Sequence, residues 1–297
     1  MGFLHVSFPI SGVTTNILVP PLVSLVISFF TSMGGISGAF LLLPFQMSAL
    51  NYTAPSVSGT NHVFNIVAIP SGVYRYMKEG RMAWPLTWVV IAGTLPGVFL
   101  GYYLRVLYLP DPKVFKLFVG CVLLYIGIRI FKELIGGREA QSPGERAFEE
   151  KFRARMEENK MQRGAKVAAG LPAEAVVKTV SISPTRIEYE FWGERFCFNT
   201  VGMLALAFIV GIIGGAYGIG GGAIIAPFCV AFFHLPVYTI AGATLMGTFI
   251  TSVAGAVFFS IIPATGGVSP MPDWPLGVLF GLGGLVGMYL GARTQKF

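Results

Sequence analysis

Apolar residues gather into seven long runs, at about 17–45, 55–74, 84–104, 114–135, 199–232, 237–262 and 275–292. An α-helix needs roughly 20 such residues to cross a hydrocarbon core. The first and fifth runs are too long for one straight crossing, and each carries glycines in its middle. Gly34, Gly35 and Gly38 interrupt the first; Gly218, Gly220, Gly221 and Gly222 interrupt the fifth. A glycine inside a helix costs about 1 kcal/mol against alanine, so both helices are predicted to break there. The stretch between the fourth and fifth runs has another pattern. "FEEKFRARMEENKMQ" (148–162) sets Phe148, Phe152 and Met156 four apart, with Glu149 four residues before Arg153, which predicts an amphipathic helix. "TRIEYEF" (185–191) alternates Ile187, Tyr189 and Phe191 with Arg186, Glu188 and Glu190, as a half-buried strand does. A turn at "WGE" then leads into "RFCF", so a small sheet is expected.

The apolar pattern also repeats itself, and repeats of this length bear on the whole fold. "GISGAFLLLPF" (35–45) aligns with "GIGGGAIIAPF" (218–228), and at the same offset of 183 "VSGTNHVFN" (57–65) aligns with "IAGATLMGT" (240–248). Gly35 then meets Gly218, Gly38 meets Gly221, Asn61 meets Thr244 and Asn65 meets Thr248. At an offset of 190, Trp84-Pro85 matches Trp274-Pro275, and "GVFLG" (97–101) matches "GMYLG" (287–291). The expectation is a duplication: a first transmembrane repeat over 17–135, a soluble insert over 136–198 and a second repeat over 199–297. Small residues spaced as in "GVFLG" and "GMYLG" are read as close helix–helix contacts.

Composition fixes the class. Hydrophobic residues make up 54% of 297, and only 35 residues are charged, 21 basic and 14 acidic. Residues 138–195 hold 21 of these charges. A water-soluble core cannot use so much apolar sequence, whereas a bilayer can. The net charge of +7 does not point to nucleic acid. Outside the insert it comes from 10 basic against 4 acidic residues, mostly at helix ends, where orientation signals sit. Arg75, Lys78 and Arg81 after the second run, and Arg129, Lys132 and Arg138 after the fourth, predict those loops on the cytoplasmic side, whereas Arg105, Lys113 and Lys116 around the third loop pull the other way; Arg75, Arg81 and Arg105 read as headgroup anchors. No removable start signal is expected, since the first 17 residues contain no Lys or Arg. Cys121, Cys197 and Cys229 are odd in number and lie in or beside apolar segments, so neither a disulfide framework nor a metal site is expected.

Two chemistries compete for the first glycine cluster. Gly35-Ile36-Ser37-Gly38 has the look of an intramembrane serine nucleophile, for which His62 would be the base. The second copy, however, keeps the glycines and places Gly220 opposite Ser37, so the common element is backbone and not hydroxyl. A helix broken at mid-depth exposes amide N–H groups at the start of its second half, and these, with the helix dipole, attract an anion. Paired breaks at a repeat interface match the general plan of secondary transporters. Gly35, Ser37 and Gly38 would approach the anion from the first break, and Gly218, Gly220, Gly221 and Gly222 from the second. Asn61 and Asn65 share one face of the second helix, as Thr244 and Thr248 share one face of the sixth. Uncharged donors of this kind suit a small anion that must bind and then leave. His62 is the one ionisable side chain well inside a predicted span, which makes it a candidate proton carrier or a source of positive charge.

The doubled glycine element ending in Pro-Phe, each time followed by a helix bearing "SGTN" or "AGAT", resembles the TauE/SafE family of sulfite and organosulfonate exporters over about 17–135 and 199–292. The resemblance implies an all-α polytopic membrane protein with two pseudo-symmetric repeats, broken glycine-rich helices and a small cytosolic α+β insert between them. It implies transport of sulfite, sulfoacetate or related organosulfonates across a bacterial or archaeal cytoplasmic membrane, proton-linked or by uniport. It implies no catalysed covalent reaction, no cofactor and no metal. The partners it implies are the anion and the lipid bilayer; pairing of two copies as a homodimer stays open. Members commonly have eight spans. An offset of 190 carries residue 114 to 304, beyond Phe297, so the second repeat is expected to lack its last span within these residues.

Overall fold

In a computed structural model, which describes residues 4–136, 154, 176–191, 193–262 and 269–294, the apolar runs become helices interrupted where the glycines fall. A two-stranded hairpin, β1 (His5–Phe8) and β2 (Val13–Asn16), precedes them. The first run gives α1 (Val19–Met33) and α2 (Ala39–Ser48), separated by residues 34–38. There follow α3 (Ser56–Lys78), α4 (Trp84–Tyr103) and α5 (Pro112–Gly136), with α4 running directly into a π-helical turn, Leu104–Tyr108. The fifth run gives α6 (Thr200–Tyr217) and α7 (Ile225–Phe233), separated by residues 218–224; α8 (Val237–Ile261) and α9 (Trp274–Thr294) follow. Among the described residues, four segments are by length and composition apolar enough to cross a membrane: Trp84–Tyr108, Thr200–Tyr217, Val237–Ile261 and Trp274–Thr294.

Burial is arranged as a bilayer demands. Large apolar side chains such as Phe30, Trp88, Leu117 and Ile209 face outward, while Ser24, Ser28, Asn61, Asn65, Thr244, Thr248 and Ser252 are buried. With hydrocarbon outside, apolar side chains gain nothing by moving inward, and helices associate by close packing and hydrogen bonds. The helix pairs do so through small residues. Gly97 and Gly101 of α4 lie so close to α6 that a Cβ on either would stand 2.4 Å from the carbonyl oxygen of Phe208 or Ile212. Gly287 and Gly291 of α9 press likewise on the carbonyls of Leu25 and Phe29 in α1. Ser24 Oγ donates to Phe280 O at 2.6 Å, tying α1 to α9, and Ser71 Oγ donates to Leu285 O at 2.7 Å, tying α3 to α9. Asp273 caps α9, accepting from Leu276 N at 3.3 Å and from Ser11 N of the hairpin at 3.0 Å.

Between α5 and α6 the described residues form an antiparallel sheet, β3 (Val177–Ile182), β4 (Arg186–Phe191) and β5 (Glu194–Asn199). Ile187, Tyr189 and Phe191 are its buried face, as the alternation predicts. The sheet is bonded to the helices at two points. Val177 N donates to Gly80 O at 3.0 Å, and the Tyr189 and Thr239 hydroxyls lie 2.8 Å apart at the start of α8. Burial pushes the Tyr189 phenol above its ordinary range, so it stays a neutral hydroxyl. Of the amphipathic helix expected over 148–162, all but residue 154 lies outside the described residues.

Two basic residues depart from expectation. Arg81 and Arg105, read from sequence as headgroup anchors, are both wholly buried. Arg81 pairs with Glu79 at 2.5 Å and its guanidinium lies 4.6 Å from the centre of the Tyr76 ring. The partners of Arg105 are described below.

Candidate functional site at the two helix breaks

Each break is made by glycines in the left-handed region. α1 gives way at Gly34 and then at Gly35, whose φ is +71°. α6 ends on Gly218 at φ +86°, and Gly220 follows at +78°. A residue with a Cβ pays about 1–2 kcal/mol in this region. Space is equally restrictive: a Cβ on Gly35 would lie 2.6 Å from Ala241 Cα, and one on Gly220 would lie 2.8 Å from Ser252 Oγ and 2.9 Å from Thr248 Cγ2. Gly218 presses on Ser58 of α3, Gly221 on Thr94 of α4, and Gly222 on the Thr244 carbonyl of α8. Gly38 lies against Ser28 of α1.

Asn65 is the centre at which the two breaks meet. Its Oδ1 accepts from the Ser37 hydroxyl in the first break. Its Nδ2 donates to Ile219 O in the second break at 2.9 Å and to Ser252 Oγ of α8 at 3.0 Å. Thr244 Oγ1 of α8 donates to Gly35 O at 3.0 Å, and Gly221 N donates to Thr251 Oγ1 at 3.1 Å. Thr248 sends its hydroxyl to Thr244 O at 2.8 Å and lines the space beside Gly220 and Gly222. Helices from opposite ends of the sequence thus hold each other's broken segments.

Not every backbone group there is satisfied. Among the described residues, the amide N–H groups of Ser37 and Gly38 in the first break, and of Gly220, Gly222 and Ile224 in the second, have no hydrogen-bond partner. Buried amides are nearly always paired, so five orphans within two short segments set these breaks apart from the rest of the helical backbone. α2 and α7 begin immediately after them, adding the positive ends of two helix dipoles. The junction itself contains Ser, Asn and Thr side chains and backbone, with no carboxylate among the groups that bond across it.

Of the residues singled out from sequence, Gly35, Ser37, Asn65, Gly218, Gly220, Gly221, Gly222, Thr244 and Thr248 meet at this junction, with Gly38 on its α1 side. Asn61 lies on the same α3 face, one turn before Asn65; it is buried, and neither polar atom of its side chain has a partner among the described residues. His62 faces elsewhere. Its ring lies 5.7 Å from that of Phe259 and packs on Gly255 of α8. The Ser37 hydroxyl points to the Asn65 carbonyl oxygen, which is not a base, so the Ser37–His62 pairing needed for a nucleophile is not formed. Ser252 and the Ile219 carbonyl also belong to the junction. Ser252 could be seen in sequence as one more hydroxyl on the Thr244–Thr248 helix, whereas a backbone carbonyl leaves no trace in residue types.

Comparison with known proteins bears on what such a junction serves. The family model described as "Sulfite exporter TauE/SafE" matches residues 21–297, nearly the whole chain. No curated protein and no solved structure matches it. The described helices are apolar outside and polar within, as a multi-pass membrane protein requires, and the family match runs through both breaks. The chain belongs to the sulfite exporter TauE/SafE family, whose members move sulfite and related anions across membranes.

Proposed function

We propose that this chain is a secondary transporter of sulfite or a similarly small organosulfonate such as sulfoacetate, with the junction of the two breaks as its substrate site. The observation that carries the reading is the set of unpaired amides at Ser37 and Gly38 and at Gly220, Gly222 and Ile224, where Ser37 and Gly220 are equivalent positions if the two halves are copies. Several amide donors around one oxyanion are the usual means of binding such an ion without a fixed counter-charge. Release stays easy because no full charge has to be separated. Conformation here is closed: the Ser37, Asn65 and Ser252 side chains bond to each other where an anion's oxygens would compete for them. Rocking of the halves would exchange those bonds for bonds to the anion.

The duplication is supported by how the helices pair. α4 packs on α6 while α9 packs on α1, which are corresponding pairs if residues 17–135 and 199–297 are two copies. The 136–198 insert is then cytosolic and rests on the loop after α3 and the start of α8. His62 is the candidate for a coupled proton.

The test is flux of labelled sulfite, sulfoacetate and sulfate in proteoliposomes, with and without a pH gradient. Sulfite or sulfoacetate should move. Asn65→Ala removes three hydrogen bonds at about 0.6 kcal/mol each within a membrane, or about 2 kcal/mol in all. It should lower flux at least tenfold while leaving the protein extractable. Normal flux in that variant would remove the junction from the transport route.

A further inference from the structure

Arg105 is a buried cation with no anionic partner. Its guanidinium is fully enclosed. Nε donates to Ser58 Oγ at 3.3 Å, one terminal nitrogen donates to Leu109 O and the other to Thr53 O at 3.2 Å. The Phe115 ring covers it, with 3.6 Å from the guanidinium carbon to the ring centre. Every partner is neutral, and among the described residues no carboxylate lies within 4 Å. These bonds engage three of the five N–H groups of an arginine. An uncompensated charge inside a membrane protein is expensive and is a functional hypothesis by default.

Its position links it to the helix breaks. Arg105 sits in the π-helical turn Leu104–Tyr108 that interrupts the end of the α4 span; such turns frequently mark functional sites. Ser58, which it bonds, donates in turn to Ala216 O at 3.1 Å, and Gly218 of the second break rests on Ser58. Ser58, Asn61 and Asn65 follow one another along a single face of α3. Asn61, buried and with both polar side-chain atoms unpartnered, lies between the arginine and the junction.

We propose that Arg105 is the receptor for the transported oxyanion on the side where α3 begins, and that Asn61 passes it to the junction. The inference rests on the transport reading and adds the charged step that reading lacks. A guanidinium with free N–H groups and a neutral amide one turn further on fit a sulfite or sulfonate headgroup.

The test compares wild type, Arg105→Gln, Arg105→Lys and Asn61→Ala in proteoliposomes with labelled sulfite, alongside the sulfite-induced shift in melting temperature of each purified protein. Arg105→Gln should raise KM about tenfold or more, the scale of a lost charge-assisted bond. Arg105→Lys, keeping the charge, should recover most of that loss, and Asn61→Ala should raise KM without lowering thermal stability. A mere brace for the Thr53 and Leu109 carbonyls would lower stability and maximal rate in both arginine variants and leave KM alone. Should Arg105→Gln fail to fold, Arg105→Lys and Asn61→Ala still decide. Wild-type flux with unchanged KM in these variants overturns the assignment and leaves the transporter standing. Wild-type protein with neither flux nor a sulfite-induced shift overturns both.

Discussion

Gly34 and Gly35 are neighbours in the first break, yet replacing each by alanine should have opposite consequences. Gly35 has φ +71°, and an added Cβ would lie 2.6 Å from Ala241 Cα and 2.7 Å from Ala241 Cβ. Carbon atoms in contact normally stand about 3.5–4.0 Å apart. Left-handed strain of about 1–2 kcal/mol adds to an overpacking cost of about 1–3 kcal/mol, so Gly35→Ala should lose roughly 2–5 kcal/mol. Gly34 has φ −88° and ψ 3°, and its nearest added contact would be Thr31 O at an ordinary 3.6 Å. Gly34→Ala should therefore be neutral, or gain about 0.4–1 kcal/mol by restricting the unfolded chain. The assay is apparent melting temperature of the two purified variants in one detergent, with anion flux measured on the same preparations. The Gly35 variant should fall by roughly 4–20 °C and lose flux, because displacing α8 also breaks the Thr244–Gly35 bond. Its neighbour should match wild type in both. Equal losses in the two, or none in Gly35→Ala, would refute a break held by backbone conformation and the closeness of α8.

Asp273→Ala removes the cap of α9 and the anchor of the hairpin at Ser11; a loss of about 0.5–2 kcal/mol, read by thermal unfolding, is expected with sulfite KM unchanged. Tyr189→Phe takes away the hydroxyl that meets Thr239, so the sheet should exchange its β4 amides faster by hydrogen exchange, with a cost of about 1 kcal/mol and no loss of the membrane helices.

Much of the fold can be read in the residues because the signals are local. A glycine cluster inside an over-long apolar run predicts a break, and both breaks occur at the expected positions. Period-two alternation over 185–191 predicts a strand, and β4 buries its expected face. Spaced glycines in "GVFLG" and "GMYLG" predict intimate helix contacts, realised on α6 and α1. What escapes the sequence is tertiary. Asn65 meets Ile219 across 154 positions and Thr244 meets Gly35 across 209; residue type supplied the candidates, but only packing could pair them. Arg105 looked like an anchor because it stands at the end of an apolar run. A π-helical turn, which no residue pattern announces, accompanies its burial. The hairpin at residues 5–16 escapes too, since four-residue strands are too short to show a period.

A small oxyanion should bind between the breaks, on the amides of Ser37 and Gly220. Selenite has the shape and charge of sulfite and scatters anomalously at the selenium edge. In crystals of the methionine-containing protein grown with selenite, an anomalous peak is expected about 3 Å from both amide nitrogens, with the Ser37–Asn65 bond exchanged for bonds to the ion. A peak confined to other positions, with those amides still unpaired, would contradict it.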